Sequence, residues 1–138
     1  MQIFSRLSDE IFSRINMKDG TFEMLQQLQL SSTDGDYGAE ILFNEAGDRL
    51  YASSRGTGVI LVYNVTQVEQ VATVTRVQEL SQSGTWPRHM SLERRIMVTS
   101  DQRGDTVQVL HVESATGLLT PGKIIQTEKS PAFVKFLK

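Results

Sequence analysis

Six residues carry the side chains that acid–base and anion-binding chemistry requires: Glu40, Arg55, Trp86, Arg88, His89 and Gln102. They fall in four short stretches, GAEI (38–41), SSRG (53–56), GTWPRHM (84–90) and SDQR (100–103). A carboxylate or an imidazole can exchange protons near neutral pH once its surroundings tune it. A guanidinium holds an anion through charge-assisted, often bidentate bonds. The single Trp offers either a stacking platform or a packing plug. Two His, no Cys and no carboxylates at ligand spacing predict no metal site. There is no Gly-rich phosphate loop leading into a helix and no nucleophile elbow around a Ser, so neither a cofactor nor covalent catalysis is expected.

These residues need elements to hold them, and the apolar pattern has period two rather than 3.6. ILVYNV (60–65), RIMVTS (95–100) and TVQVLHV (106–112) are β-branched runs bounded by Gly, Asp, Ser and Asn, the signature of strands and turns. Only the first ten residues suit a modest helix, with Ser8 as its cap. The pattern recurs. KDGTFEMLQQLQL leads into GAEILF, VATVTRVQEL into PRHMSL, and TGLLTPGKIIQT into PAFVKFL. The interval is about 48 residues, the size of a four-stranded propeller blade.

The expected fold is therefore all-β, built of propeller blades of four antiparallel strands. Within the second blade the inner-to-outer strands are expected at 40–44, 49–54, 59–65 and 71–80. The chain divides into the end of a blade (1–37), two full blades (38–85 and 86–130) and the first strand of another (131–138). Strands at 11–16 and 21–30 belong to the first part, and one at 132–137 to the last. Two complete blades plus parts of two more cannot close a ring of four to eight. The chain is expected to be part of a longer protein, to join with further copies, or to stand as an open piece whose blade edges invite self-association.

Strand direction brings the chemistry together. Blade-to-blade junctions lie on the same face as the loops between the second and third strands. Glu40, Trp86, Arg88 and His89 at junctions thus share a rim with Arg55, Asp101, Gln102 and Arg103 in loops. That rim is where the inner strands open to the central channel.

Composition limits the alternatives. The chain has 138 residues, 39% of them hydrophobic and 22% charged, with a formal net charge of -2. That suits one soluble domain and offers no basic stripe for nucleic acid. No apolar run approaches membrane-spanning length, and the N-terminus has no signal-like apolar stretch. With cysteine absent, a cytoplasmic setting is expected.

GAEILFNEAGDRLYASSRG resembles a signature of the seven-bladed lactonase propellers, the 6-phosphogluconolactonase and carboxy-cis,cis-muconate cyclase type. GTWPRHMSL, MVTSDQRGDTVQVLHVESATGLLTP and SPAFVKFL resemble three further segments of that family, in family order. The resemblance runs from about Ile11 onward and implies the last blades of such a propeller. It implies a polar pocket on one face of the channel, with Glu40, Arg55, the pair Arg88 and His89, and Gln102 at the matching positions. By this likeness Glu40 is the expected general base, and Arg55, Arg88 and His89 bind the substrate anion or the developing oxyanion. Ser54 and Asp101 stand where the family has Asn. SLERRI lacks the family's usual turn, which puts the hairpin at 91–96 in question.

The resemblance implies hydrolysis of an anionic lactone, first 6-phosphogluconolactone, and alternatively the cyclase reaction. The competing class is a propeller that binds partners without catalysis. Each residue also has a structural reading: Glu40 solvated at a strand start, Arg55 paired with a rim acid, Trp86 a plug between blades, Asp101 and Gln102 turn residues, and His111 structural in a third strand.

Overall fold

A computed structural model describes residues 2–6, 9–15, 18–30, 33, 36–69 and 71–137. Among these described residues there are eleven strands in three antiparallel sheets. The first sheet is β1 (Gln2–Arg6), β2 (Asp9–Ile15) and β3 (Phe22–Gln29), in that order. The second is β4 (Gly38–Phe43), β5 (Arg49–Ser54), β6 (Val59–Val68) and β7 (Val71–Ser81). The third is β8 (Pro87–Glu93), β9 (Ile96–Asp101), β10 (Thr106–Val112) and β11 (Leu119–Gln126). Each strand pairs with its neighbour in sequence, the meander of a propeller blade.

The burial of β5 and β6 explains why VILVY is apolar without interruption. Leu50, Ala52, Val59, Leu61 and Tyr63 face one way, into a core with Leu30 and Val74. Tyr51, Ile60 and Val62 face the other way, into a core with Met90, Met97, Leu110, Val112 and Leu119. The second sheet is covered on both faces, so alternation gives way to a continuous apolar run. Apolar burial here is the main stabilising term, roughly 1.5–3 kcal/mol for each large side chain.

Two glutamines fasten the outer strands across these interfaces. The Gln26 side-chain amide donates to Val74 O at 3.1 Å, while Val74 N–H donates to Gln26 Oε1 at 2.9 Å. Gln78 does the same with Leu119 O and N at the next interface, both at 2.8 Å. Each amide replaces a strand partner for one backbone residue of the neighbouring blade.

Three expectations change. The N-terminal residues form the hairpin β1–β2 rather than a helix, with Arg6 opposite Asp9. A ten-residue helix is marginal alone, and the ladder offered by β2 and β3 outweighs it; Ser8, the expected cap, lies outside the described residues. Residues 131–137 make no ladder among the described residues. An inner strand needs a second strand beside it, whereas this segment meets β8 side-on, through Val134 and Phe133 on His89. The hairpin at 91–96 does form: Glu93 pairs with Ile96 around Arg94 and Arg95. The tightness is met by Arg94 at φ 53.

A positive φ on Arg costs about 1–2 kcal/mol that Gly avoids, less Gly's greater unfolded-state entropy. Arg94→Gly is expected to raise stability by roughly 0.5–1 kcal/mol, read as a higher midpoint in chemical denaturation. Tyr51 supplies a pH-dependent term. Its hydroxyl donates to Gly117 O at 2.9 Å, and the residue is fully buried. Burial pushes its pKa above the ordinary 10.0; Arg49 pulls the other way and Asp48 adds to the rise. The protonated form is favoured in the fold, so this stability is complete below about pH 10 and is lost as pH rises through the folded pKa. Tyr51→Phe is expected to cost about 1 kcal/mol at neutral pH and to flatten the alkaline fall in thermal midpoint.

Candidate functional site

The inner strands β4 and β8 each carry an irregularity near their start. Between Gly38 and Ile41, and between Pro87 and His89, the pairing register shifts by one residue. Such bulges interrupt the alternation of faces and re-aim side chains. Counted from Gly38 opposite Ser54 and Pro87 opposite Asp101, β4 and β8 carry equivalent register positions. From the pairing beyond each bulge, Glu40 in one blade takes the place of His89 in the next.

These two equivalent residues meet. His89 Nε2 lies 3.3 Å from Glu40 Oε2, with side chains 20% and 30% exposed respectively. Val134 N–H donates to His89 Nδ1 at 3.4 Å. In a neutral imidazole that acceptor role at Nδ1 leaves the hydrogen on Nε2, aimed at the Glu40 carboxylate. The Phe133 ring tilts over the imidazole with centroids 4.2 Å apart. SPAFVKF aligned with WPRHMSL, Pro131 on Pro87, puts Phe133 at the same repeat position again. Glu40, His89 and Phe133 thus form a row along the inner strands of successive blades.

The other sequence-selected residues fall into separate groups. Arg88 is exposed, and its Nη1 donates to Gln102 Oε1 at 2.8 Å. Trp86 stands between blades, its ring 6.4 Å from Tyr37, with the Arg103 guanidinium 3.4 Å above it in a cation–π contact. Trp86, Gln102, Arg103, Asp105, Lys129 and Ser130 line an open cavity of about 440 Å³. Among the described residues Arg55 pairs with no acid: its Nη2 donates to Gly38 O at 2.6 Å, and its Nε is buried without a partner. It holds the start of β4 rather than joining Glu40 and His89. His111 is exposed on β10.

The rim is set by buried carboxylates, and one of them was not legible as important. Asp36 Oδ1 accepts from the N–H groups of Tyr37, Gly56 and Thr57 at 2.9, 2.7 and 3.2 Å. Its Oδ2 accepts from Thr57 Oγ1 at 2.9 Å. Asp101 Oδ1 accepts from Trp86, Arg103 and Gly104 N–H at 3.0, 3.2 and 3.0 Å. Both ionic acceptors tie a blade junction to a loop, one from the junction side and one from the strand end. Asp105 extends the device, its Oδ1 accepting from Ser130 N–H at 2.7 Å. The expectation of Asp101 as a turn residue captured its loop bonds but not the bond to Trp86. In sequence the signal is an Asp adjoining or within three residues of a Gly in each junction or loop, which also reads as ordinary turn chemistry.

Asp101 fits only because position 84 has no side chain. A Cβ on Gly84 would stand 0.9 Å from Asp101 Oδ2. Gly84→Ala is therefore expected to expel the carboxylate and destabilise the chain by roughly 2–4 kcal/mol, with Asp101→Asn losing about 1–2 kcal/mol. Denaturant midpoints check both, and Trp86 fluorescence reports whether the junction has come loose.

A model of the family described as "Lactonase, 7-bladed beta-propeller" matches residues 7–136. Among curated protein sequences, none matches this chain. Solved structures share the fold. A protein from Lactobacillus plantarum superposes with TM-score 0.81 at 23% identity, covering 89% of this chain and 37% of its own. A putative 6-phosphogluconolactonase from Bacteroides fragilis gives 0.78 at 24%, covering 91% and 35%. The periplasmic gluconolactonase of Pseudomonas aeruginosa gives 0.81 at 16%, covering 91% and 36%. The chain thus spans little more than a third of the length of these similar structures. Among its described residues no helix is long and apolar enough to cross a membrane. With its repeated blades, its row of inner-strand residues and a family match over nearly all its length, the chain belongs to the seven-bladed lactonase β-propeller family.

Proposed function

We propose that this chain carries part of a lactone-opening site, and that the favoured substrate is 6-phosphogluconolactone, hydrolysed to the open acid. The observation that carries the reading is the Glu40–His89 contact at equivalent positions of adjacent inner strands. A carboxylate that accepts an imidazole N–H is held in one orientation, from which it can take a proton from water. The water oxygen adds to the lactone carbonyl carbon. The ring C–O bond then breaks, and the ring oxygen leaves as a hydroxyl after taking up a proton. His89 holds Glu40 in place through its Nε2–H, and the proton that Glu40 takes from water is the one delivered to the leaving ring oxygen.

The phosphorylated end has a cationic seat within reach of the same rim. Arg88 is tied to Gln102, which lines the cavity with Arg103 and Lys129. Charge-assisted bonds from these groups suit a phosphate better than an uncharged sugar hydroxyl. Arg55 supports the site indirectly by fixing Gly38. A cytoplasmic setting for this reaction agrees with the cysteine-free sequence.

Acid release at constant pH, corrected for spontaneous ring opening, tests the reading. Glu40→Gln is expected to lower kcat by about 10²–10⁴. Arg88→Ala is expected to raise KM for the phosphorylated lactone more than for gluconolactone. Equal kcat/KM for the two lactones would remove the phosphate assignment. Unchanged turnover in Glu40→Gln would remove the base, and ring closure of carboxymuconate in place of lactone opening would move the site to the cyclase reaction.

A further inference from the structure

Arg103 differs from the other arginines of the rim. Arg88 gives an Nη1 hydrogen to Gln102 Oε1, and Arg55 gives an Nη2 hydrogen to Gly38 O. Among the described residues the Arg103 guanidinium makes no hydrogen bond or ion pair, and it lies against the Trp86 ring with its Cζ 3.4 Å from the centroid. That contact places the cation and leaves its five N–H donors unspent. The indole is itself anchored. Trp86 N–H donates to Asp101 Oδ1 at 3.0 Å, and Trp86 O accepts from Gln102 N–H at 3.1 Å. With Arg103 over it, that ring face holds a cation rather than offering a sugar a platform.

The cavity that Arg103 lines suits an anion. Lys129 adds a second cation, and the carboxylate there, Asp105, spends its Oδ1 on Ser130 N–H at 2.7 Å. Asp105 and Ser130 have φ of 54 and 55, left-handed backbone that residues other than Gly seldom adopt. Local strain of this kind gathers at ligand clamps. We propose that Arg103 is the specificity-determining residue that anchors the phosphate of a phosphorylated substrate here, and that Trp86 is the positioning residue that holds it ready. This rests on the lactone-opening reading and names the residue that tells a phosphorylated lactone from a plain one.

The physical reason is preorganisation. An Arg side chain free in water loses rotamer freedom when it grips a ligand, and Trp86 takes up part of that loss in advance. A guanidinium lying on a ring keeps its edge free, and the edge carries the forked donors that match a phosphate. A lysine in its place would keep the charge but lose the fork and the flat face. The two residues therefore act as a unit. Without Trp86 the Arg103 side chain is loose, and without Arg103 the indole has no part in recognising phosphate. A Trp86 that served only as a plug between blades would weaken phosphorylated and plain ligands alike.

Calorimetric titration of the chain with 6-phosphogluconate and with gluconate tests this without turnover. The phosphorylated ligand is expected to bind about tenfold more tightly. Arg103→Ala is expected to bring that ratio close to one, Arg103→Lys to cut it about threefold, and Trp86→Phe, which keeps a smaller ring, to cut it about twofold. Arg103→Ala in the Trp86→Phe background is expected to cut the ratio no further than Arg103→Ala alone. The anchor is overturned by equal affinity for the two ligands in the unmodified chain, by a ratio that Arg103→Ala leaves in place, or by a Trp86→Phe variant that scales both affinities equally. A ratio that depends on Arg103, with no lactone opened, supports the anchor and removes the reading it rests on. Lactone opening with a ratio indifferent to Arg103 does the reverse.

Discussion

A blade with two apolar faces must be covered on both, and this requirement governs the molecule. The second sheet meets it completely, with β5 and β6 alternating their side chains into separate cores against the first and third sheets. Apolar surface that would otherwise meet water is what keeps the blades stacked in a row. The remaining contacts refine that stack rather than create it. Gln26 and Gln78 fasten the outer strands, and Tyr51 with Arg49 reaches across to the 116–117 turn, where Arg49 Nε donates to Thr116 O at 2.6 Å.

The same stacking creates the site. Residues at one repeat position are far apart in sequence, yet successive blades bring them side by side near the channel. Glu40 and His89 meet for that reason, and Phe133 closes over His89. The bulges at the starts of β4 and β8 recur at one place in the repeat, so a local irregularity becomes an aligned row. Asp36 and Asp101 hold the junctions that lead into these strands. Their carboxylates accept three backbone N–H groups apiece, through Oδ1 in each case.

Relatives of similar fold are much longer than this chain, and the row of blades here has two unlike ends. One presents a sheet short of its inner strand, the other an inner strand short of its sheet. Edge strands are ordinarily managed by pairing, cover or charge.

Period-two runs and the blade-length interval were sufficient to specify strands, their antiparallel order and the propeller class, because alternation and turn chemistry are local properties. They also marked Glu40, Trp86, Arg88, His89 and Gln102 as rim residues, because strand direction assigns each loop to a face. What the strands do at their ends was not local. Residues 2–6 pair with 9–13 because β2 and β3 offered a ladder, and residues 131–137 have none among the described residues. Sequence placed Arg88 and His89 together as neighbours, yet the tertiary structure gave one to Gln102 and the other to Glu40. It turned Arg55 to a carbonyl, and it made Asp36 and the glutamines of β3 and β7 into fasteners between blades. The partners of His89, Gln26 and Gln78 lie about one repeat away along the chain, and only the stacking of blade on blade brings them into contact, whereas those of Arg88, Arg55 and Asp36 lie 14, 17 and 20 residues away and meet where a junction folds back on a loop.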